Sequence, residues 1–321
     1  MSILGSIYGT VIYVRNALYD SGVYKSHELQ GPVVSIGNLS VGGSGKTPFT
    51  ILLGELLKAK QIKFDVLSRG YCRDTSDVLL VDPAGSPQQF GDEPLLIARK
   101  LQVQVIVGKS RYQAGVFAEQ KFGPQLHILD DGFQHRSLAR DFDIVLVSSN
   151  DLKDRFLPIG RLREPLSSLK RASALATSDD LVVQSPSQSD KSIWKINRGI
   201  AIDAPPSRPI VFCGIARPAL FLSQVHGAGI EISGEMIFRD HHRYTQRDIE
   251  SLQKLRLQER ADGFITTEKD AINLGDQLRA LEPATIAKVT MELENPANAI
   301  DAMLRIISMR SASHEKILSN S

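Results

Sequence analysis

Pro32-Val-Val-Ser-Ile-Gly37 leads within two residues into Ser40-Val-Gly-Gly-Ser-Gly-Lys-Thr47, and this junction decides the fold class. The first segment reads as a short buried strand. The segment Thr47–Lys60 reads as a helix with Ile51, Leu52, Leu53, Leu56 and Leu57 on its inner side. A glycine-rich turn between a strand and a helix is the setting a phosphate loop requires. Glycines let successive backbone N–H groups face phosphate oxygens, and the helix N-terminus adds its positive dipole end. The nucleotide-binding set is then Ser40, Val41, Gly42, Gly43, Ser44, Gly45, Lys46 and Thr47. Lys46 would reach the β- and γ-phosphates of a nucleoside triphosphate, and the Thr47 hydroxyl would bind Mg²⁺. Pro48 falls in the first helical turn, where a missing N–H costs little. Ser40 departs from the general motif, which has glycine there.

Strand and helix patterns continue to alternate outward from this point. Phe64–Ser68, Val78–Val81, Val103–Val107, His127–Leu129 and Asp143–Val147 read as strands, and Glu93–Leu101 and Arg111–Lys121 as helices. Such alternation implies a P-loop NTPase-like α/β domain, a parallel sheet with helices on both faces. The pattern loosens over residues 178–209, and Asp203-Ala-Pro-Pro-Ser-Arg-Pro209 reads as a domain junction. Pro209–Gly214 and Gly263–Thr266 are strands of a second, smaller α/β unit, with a helix from about Pro218 and another over Asn295–Ile307. The expected organisation is a nucleotide-binding domain over residues 1–205 and a smaller C-terminal domain over 206–321 that closes over the site.

Bulk properties exclude several classes. A net charge of +2 gives no field that would draw the whole chain onto nucleic acid. Two distant cysteines, Cys72 and Cys213, support neither a zinc site nor a disulfide framework, and they fit a reducing, intracellular setting. No apolar run approaches the ~18 residues of a membrane span. The N-terminus has two readings. Ile3, Leu4, Ile7, Tyr8, Val11, Ile12 and Leu18 recur near helical spacing, either as a helix packed on the core or as one lying in a membrane interface.

Other residues carry chemistry. Asp130 and Asp131 end an apolar strand, where a carboxylate helps to hold Mg²⁺ beside a phosphate loop. Asp92 and Glu93 open a helix, so they either cap it and complement its dipole or do acid–base work. His241 and His242 follow Asp240, which leaves metal binding, an acid–base role and a solvated loop all open. Arg161 and Arg163, in Leu157–Pro165, and the cluster Thr266–Asp270 suit either a nucleotide edge or a surface salt-bridge network.

Taken in order, these segments resemble one family, tetraacyldisaccharide 4′-kinase, the lipid A kinase of Gram-negative bacteria. The matching stretches are Ile36–Pro48, Leu67–Tyr71, Gly91–Pro94, Asp130-Asp131-Gly-Phe-Gln-His135, Pro158–Pro165, Phe238–His241 and Thr266–Asp270. They span about residues 31–275, and the family's loop also lacks the first glycine. The resemblance implies that ATP phosphorylates the 4′-hydroxyl of an acylated glucosamine disaccharide 1-phosphate, giving lipid IVA. It implies Asp92 as general base paired with His241 (or His242), Lys46 as a catalytic cation, and Thr47, Asp130 and Asp131 at Mg²⁺, with Glu93 as accessory. It also implies peripheral association with the cytoplasmic face of the inner membrane, which favours the interfacial reading of the N-terminal helix. Arg69, Arg111 and Arg136 are candidates for the substrate 1-phosphate by charge and neighbourhood alone.

Three rivals are weaker. A kinase acting on a water-soluble sugar would not need the apolar N-terminus. A nucleotide-switched, membrane-cycling ATPase of the MinD-like type has a lysine where this chain has Val41. A dinucleotide-binding oxidoreductase would lack Lys46-Thr47.

Overall fold

The computed structural model describes residues 3–178 and 191–319, so part of the Ser- and Pro-rich stretch at 178–209 lies outside the described residues. In chain order the elements begin with helix α1 (Ile3–Asp20), strand β1 (Val33–Asn38), α2 (Lys46–Ala59), β2 (Phe64–Ser68), β3 (Leu79–Leu80) and α3 (Pro87–Phe90). Next come α4 (Asp92–Leu101), β4 (Val105–Val107), α5 (Arg111–Phe122), β5 (Leu126–Asp130), β6 (Phe142–Leu146), β7 (Ala174–Thr177) and β8 (Ser192–Ala201). The second half holds β9 (Pro209–Cys213), α6 (Pro218–Gly227), β10 (Gly234–Ile237), α7 (Gln246–Gln258), β11 (Gly263–Thr267), α8 (Glu268–Leu274), β12 (Ala284–Leu293) and α9 (Pro296–Ser319).

One 12-stranded sheet runs β10-β9-β11-β12-β8-β7-β6-β1-β5-β2-β4-β3. Strands β1, β2, β5 and β6 are mostly apolar and are buried along their whole length. They pair in parallel, as strands covered on both faces do. Helix α2 lays Phe49, Leu53 and Leu57 against them. A parallel sheet presents its loops to ligands at the carboxyl ends of its strands. The glycine loop after β1, Asp130 at the end of β5 and Ser68 at the end of β2 therefore share one rim.

The two halves of the sheet meet through two long strands. Ser192–Lys195 of β8 pairs in parallel with β7, and Ile196–Ala201 pairs antiparallel with β12. The opening residues of β12 pair with β11 in the smaller unit. That unit has its own core around Ile210, Phe212, Tyr244, Ile249 and Phe264. The chain then returns, because Ile300 and Met303 of α9 join the core that holds Phe142 and Trp194. The architecture is thus a mixed α/β fold with a large sheet, flanking helices and a smaller C-terminal α/β unit.

Helix α1 is seated by one edge. Ile12 is buried, the Tyr8 hydroxyl donates to the Arg163 carbonyl at 3.2 Å, and the Phe156 ring lies against Gly9. Its Arg15 and Asn16 side chains bond the fully buried Glu164 carboxylate at 3.1 and 3.0 Å. The other edge is apolar and open: Leu4, Ile7, Val11 and Val14 are 63%, 56%, 61% and 49% exposed. These four recur at helical spacing and form one stripe. Among the described residues, no helix is long and apolar enough to cross a membrane.

Candidate active site

Gly42 and Gly45 take φ of +96° and +88°, a left-handed conformation that glycine adopts without strain. They bend the loop so that α2 can start at Lys46. The loop is tied from the side: Val41 N–H donates to the Arg161 carbonyl at 2.8 Å, and Arg163 N–H to the Leu39 carbonyl at 2.7 Å. Lys46 Nζ lies 3.2 Å from Asn38 Oδ1 and 3.5 Å from Asp131 Oδ1. Thr47 is buried at the loop's end. A cavity of about 1000 Å³ opens above, bordered by Ser40's neighbours Val41–Thr47 and by Asp130, Asp131, Glu93 and His241.

The two adjacent carboxylates sit in opposite environments. Asp130 is buried and accepts from the Thr50 hydroxyl at 3.0 Å. Burial, then the negative charges of Glu93 and Asp131, push its carboxyl up to about 7. Burial acts on Asp131 in the same direction, but the Lys46 and Arg163 charges outweigh it and hold the group well below the usual carboxylate range. Arg163 grips Asp131 with both guanidinium ends, at 2.8 and 3.1 Å. Arg163 thus belongs to the site, whereas Arg161 turns away to Asp154 at 3.0 Å. Arg111 is buried beside the aspartate pair, and burial lowers its guanidinium to about 10 against their charges. Arg69 also lines the cavity, while Arg136 pairs with Asp20 at 2.8 Å beside α1.

Asp92 opens α4 after Gly91. Its Oδ1 accepts from the Glu93 N–H at 2.8 Å, inside the helix's first turn. Its Oδ2 meets His241 Nδ1 at 2.8 Å and takes a second bond from Asn273 Nδ2 at 3.2 Å. Burial works against the Asp92 carboxylate, but the His241 bond and the Lys269 charge outweigh it and lower its pKa. Burial likewise works against a charged His241, and the Asp92 bond and charge outweigh it and raise its pKa. Each group favours the charged form of the other. His242 faces elsewhere, 3.1 Å from Asp248 Oδ2 and stacked on Phe238. Glu93 is ion-paired with Lys269. The Thr266–Asp270 cluster is therefore part of the site's wall rather than a surface network.

Sequence reasoning missed three residues here. Asn273 lies one turn past the Thr266–Asp270 cluster and has no motif of its own. Arg198 (on β8) and Arg217 (before α6) line the cavity opposite the glycine loop, with the Arg198 guanidinium against Gly45 and the Arg217 stem against Gly43. Burial and the Arg217 charge lower the Arg198 pKa.

Comparison with known proteins meets this geometry at residues 1–308, which match the model of LpxK, tetraacyldisaccharide-1-P 4′-kinase. The chain belongs to the tetraacyldisaccharide-1-P 4′-kinase family. A tetraacyldisaccharide 4′-kinase of Koribacter versatilis is 46% identical over 97% of this chain and 99% of that relative. One from Aquifex aeolicus is 38% identical over 84% of this chain and 87% of its own length. The crystal structure of the Aquifex aeolicus LpxK in complex with ATP superposes with a TM-score of 0.77 at 34% identity, covering 95% of this chain and 97% of that one. Both halves of the sheet therefore belong to the family's architecture.

Proposed function

We propose that this chain transfers the γ-phosphoryl group of ATP to the 4′-hydroxyl of a tetraacyldisaccharide 1-phosphate, forming lipid IVA, with Asp92 as general base. It is an ATP-dependent kinase of its family. The observation that carries the assignment of the base is the Asp92–His241 contact of 2.8 Å beside the phosphate-loop cavity.

The residues divide the work. The backbone of Ser40–Gly45 and the Lys46 ammonium hold and neutralise the phosphates. Asp92, kept ionised by His241, takes the proton of the attacking hydroxyl, and His241 fixes the carboxylate's orientation. Thr47, Asp130 and Asp131 offer the hard oxygens that Mg²⁺ prefers, with Glu93 nearby. Burial together with the charges of Glu93 and Asp131 raises Asp130, and a cation beside it would relieve that cost. Among the described residues, no three His, Cys, Asp or Glu side chains form a metal cage. Mg²⁺ commonly completes its shell with phosphate oxygens and water. A Mg²⁺ held there by Thr47, Asp130 and Asp131 would supply charge neutralisation to the transferring phosphoryl group.

Residues 1–205 form the nucleotide-binding unit in this reading, and 206–321 the smaller unit that completes the site, with α9 returning to the core of the first. The exposed stripe of Leu4, Ile7, Val11 and Val14 lies in the inner membrane's cytoplasmic interface and brings the site to an acyl substrate. A kinase for a water-soluble sugar gains nothing from that stripe. The test is incubation with labelled ATP, Mg²⁺ and a detergent-dispersed tetraacyl disaccharide 1-phosphate. Label should enter the lipid and fail to do so with Asp92→Asn. Transfer to soluble sugars instead would overturn the substrate assignment.

A further inference from the structure

Helix α8 bonds Asp92 directly and reaches the His241 loop through the Gly214 backbone. Lys269 and Asn273 are four residues apart and so lie on one face. Lys269 pairs with Glu93, and Asn273 Nδ2 donates to Asp92 Oδ2. Between them in sequence, Asp270 points the other way. It is fully buried, and its carboxylate accepts from the Gly214 N–H and the Tyr244 hydroxyl, each at 2.8 Å, and from the Thr267 hydroxyl at 2.6 Å. The Gly214 carbonyl in turn accepts the His241 N–H at 3.1 Å. His241 has φ of +58°, a backbone state that a histidine holds only when its surroundings fix it. One short helix thus pins the loop of the acid partner and the carboxylate of the base.

The lone pairs of Asp92 can be counted. Each carboxylate oxygen accepts about two hydrogen bonds. Oδ2 already has two, from His241 and Asn273. Oδ1 has one, from the Glu93 N–H. We propose that α8 is the positioning element of the base: Asn273 and His241 together saturate Oδ2, which leaves Oδ1 as the atom that receives the substrate proton. This rests on Asp92 being the base. As the hydroxyl oxygen forms its bond to the γ-phosphorus, the bond to the β-bridging oxygen breaks and ADP leaves. The hydroxyl proton passes to Asp92 Oδ1 and later to water. Without Asn273, Oδ2 keeps only the His241 bond and the Glu93 N–H is the one other tether, at Oδ1, so the carboxylate is less firmly held and can turn away from the acceptor.

The test compares Asn273→Ala with Asn273→Asp, using the full-length enzyme, ATP and the lipid acceptor. Asn273 is only half-buried, so truncation leaves no large cavity. Asp has the shape of Asn but places a negative charge, not a donor, against Asp92. Positioning through the hydrogen bond predicts a kcat fall of about 10-fold for Ala and a larger fall for Asp, with the KM for ATP unchanged. A role in packing alone predicts the reverse order, with the isosteric Asp near wild type. That order, wild-type kcat in both variants, or a KM for ATP that rises along with the loss, would overturn the inference. Asp92→Asn run alongside separates the two claims. If it stays active, the assignment of the base falls; if it is inactive while both Asn273 variants match wild type, only the positioning role does.

Discussion

His241 Nδ1 lies 2.8 Å from Asp92 Oδ2, across 149 residues of sequence. Asp92 opens a helix packed on the large sheet, and His241 sits on a loop after β10 in the smaller unit. The pair therefore exists only when the two units are docked. Their docking is fastened by the Lys269–Glu93 ion pair and the Asn273–Asp92 bond. On the proposed reading, completion of the base is thereby tied to docking of the two units beside the phosphate-loop cavity.

Asp92→Asn should lower kcat by roughly 100-fold or more while the KM for ATP stays near wild type, since the amide keeps the shape and loses the basicity. His241→Ala should lower kcat less, because the carboxylate remains and loses its orienting partner. Steady-state kinetics with varied ATP and lipid read both. An Asp92→Asn enzyme with wild-type kcat would return Asp92 to helix capping.

Lys46→Ala should cost about 100- to 1000-fold in kcat, the scale for removing one group that stabilises developing charge. Lys46 also faces Asp131 at 3.5 Å, so the variant leaves that carboxylate to Arg163, its ion-pair partner, and the nearby Arg111. Single-turnover phosphoryl transfer at saturating ATP isolates the step. Loss confined to ATP affinity, with the transfer rate intact, would remove Lys46 from the chemistry.

The first half of the fold was legible because its strands are buried on both faces and read as short, mostly apolar runs. Phe64–Ser68 emerged with the bounds expected of it. The linking strands β8 and β12 were not, because their antiparallel stretches mix polar and apolar residues, as in Ile196-Asn-Arg-Gly-Ile-Ala201. Helix α7 did carry a readable signal, the Thr245–Asp248 capping box, which was passed over. At the site, residues inside motifs could be named. Asn273, Arg198 and Arg217 could not, because their placement depends on how the two units pack.

Arg198 and Arg217 bring two positive charges to the wall facing the glycine loop. Neither has a carboxylate partner among the described ion pairs, and the Nε of each is buried without an acceptor. Cations left so are costly, and a polyanion offsets that cost. Arg198→Gln and Arg217→Gln should each raise the KM for ATP about 10-fold. Direct nucleotide binding with both ATP and ADP would check this, and unchanged affinity in both variants would exclude contact with phosphate.

The open stripe of α1 predicts a binding defect without a folding defect. Ile7→Asp with Val11→Asp alters only exposed positions, so the melting temperature should hold while sedimentation with anionic liposomes falls several-fold. Equal sedimentation of the double variant would place the membrane contact elsewhere.

His127 predicts how stability changes with pH, at the sheet's end away from the cavity. Its Nδ1 lies 2.7 Å from Asp65 and its Nε2 3.3 Å from Glu119, with the ring fully buried. A neutral imidazole has one N–H and can serve one carboxylate; the imidazolium serves both. Burial opposes the charge, but the bonds and charges of Asp65 and Glu119 outweigh it, and the His127 pKa is raised. The unfolded chain has the ordinary value of about 6.5. Stability from this group is therefore complete below that pH and is lost as pH rises through the folded-state pKa. Glu119 also accepts the Gly31 N–H at 2.7 Å, so the loss loosens the segment between α1 and β1. Against His127→Gln, the wild type should hold its largest melting-temperature advantage near pH 6, with the gap narrowing toward alkaline pH. A gap that stays constant or widens with pH would mean that the ring is neutral in the folded protein and acts only as a spacer between the two carboxylates.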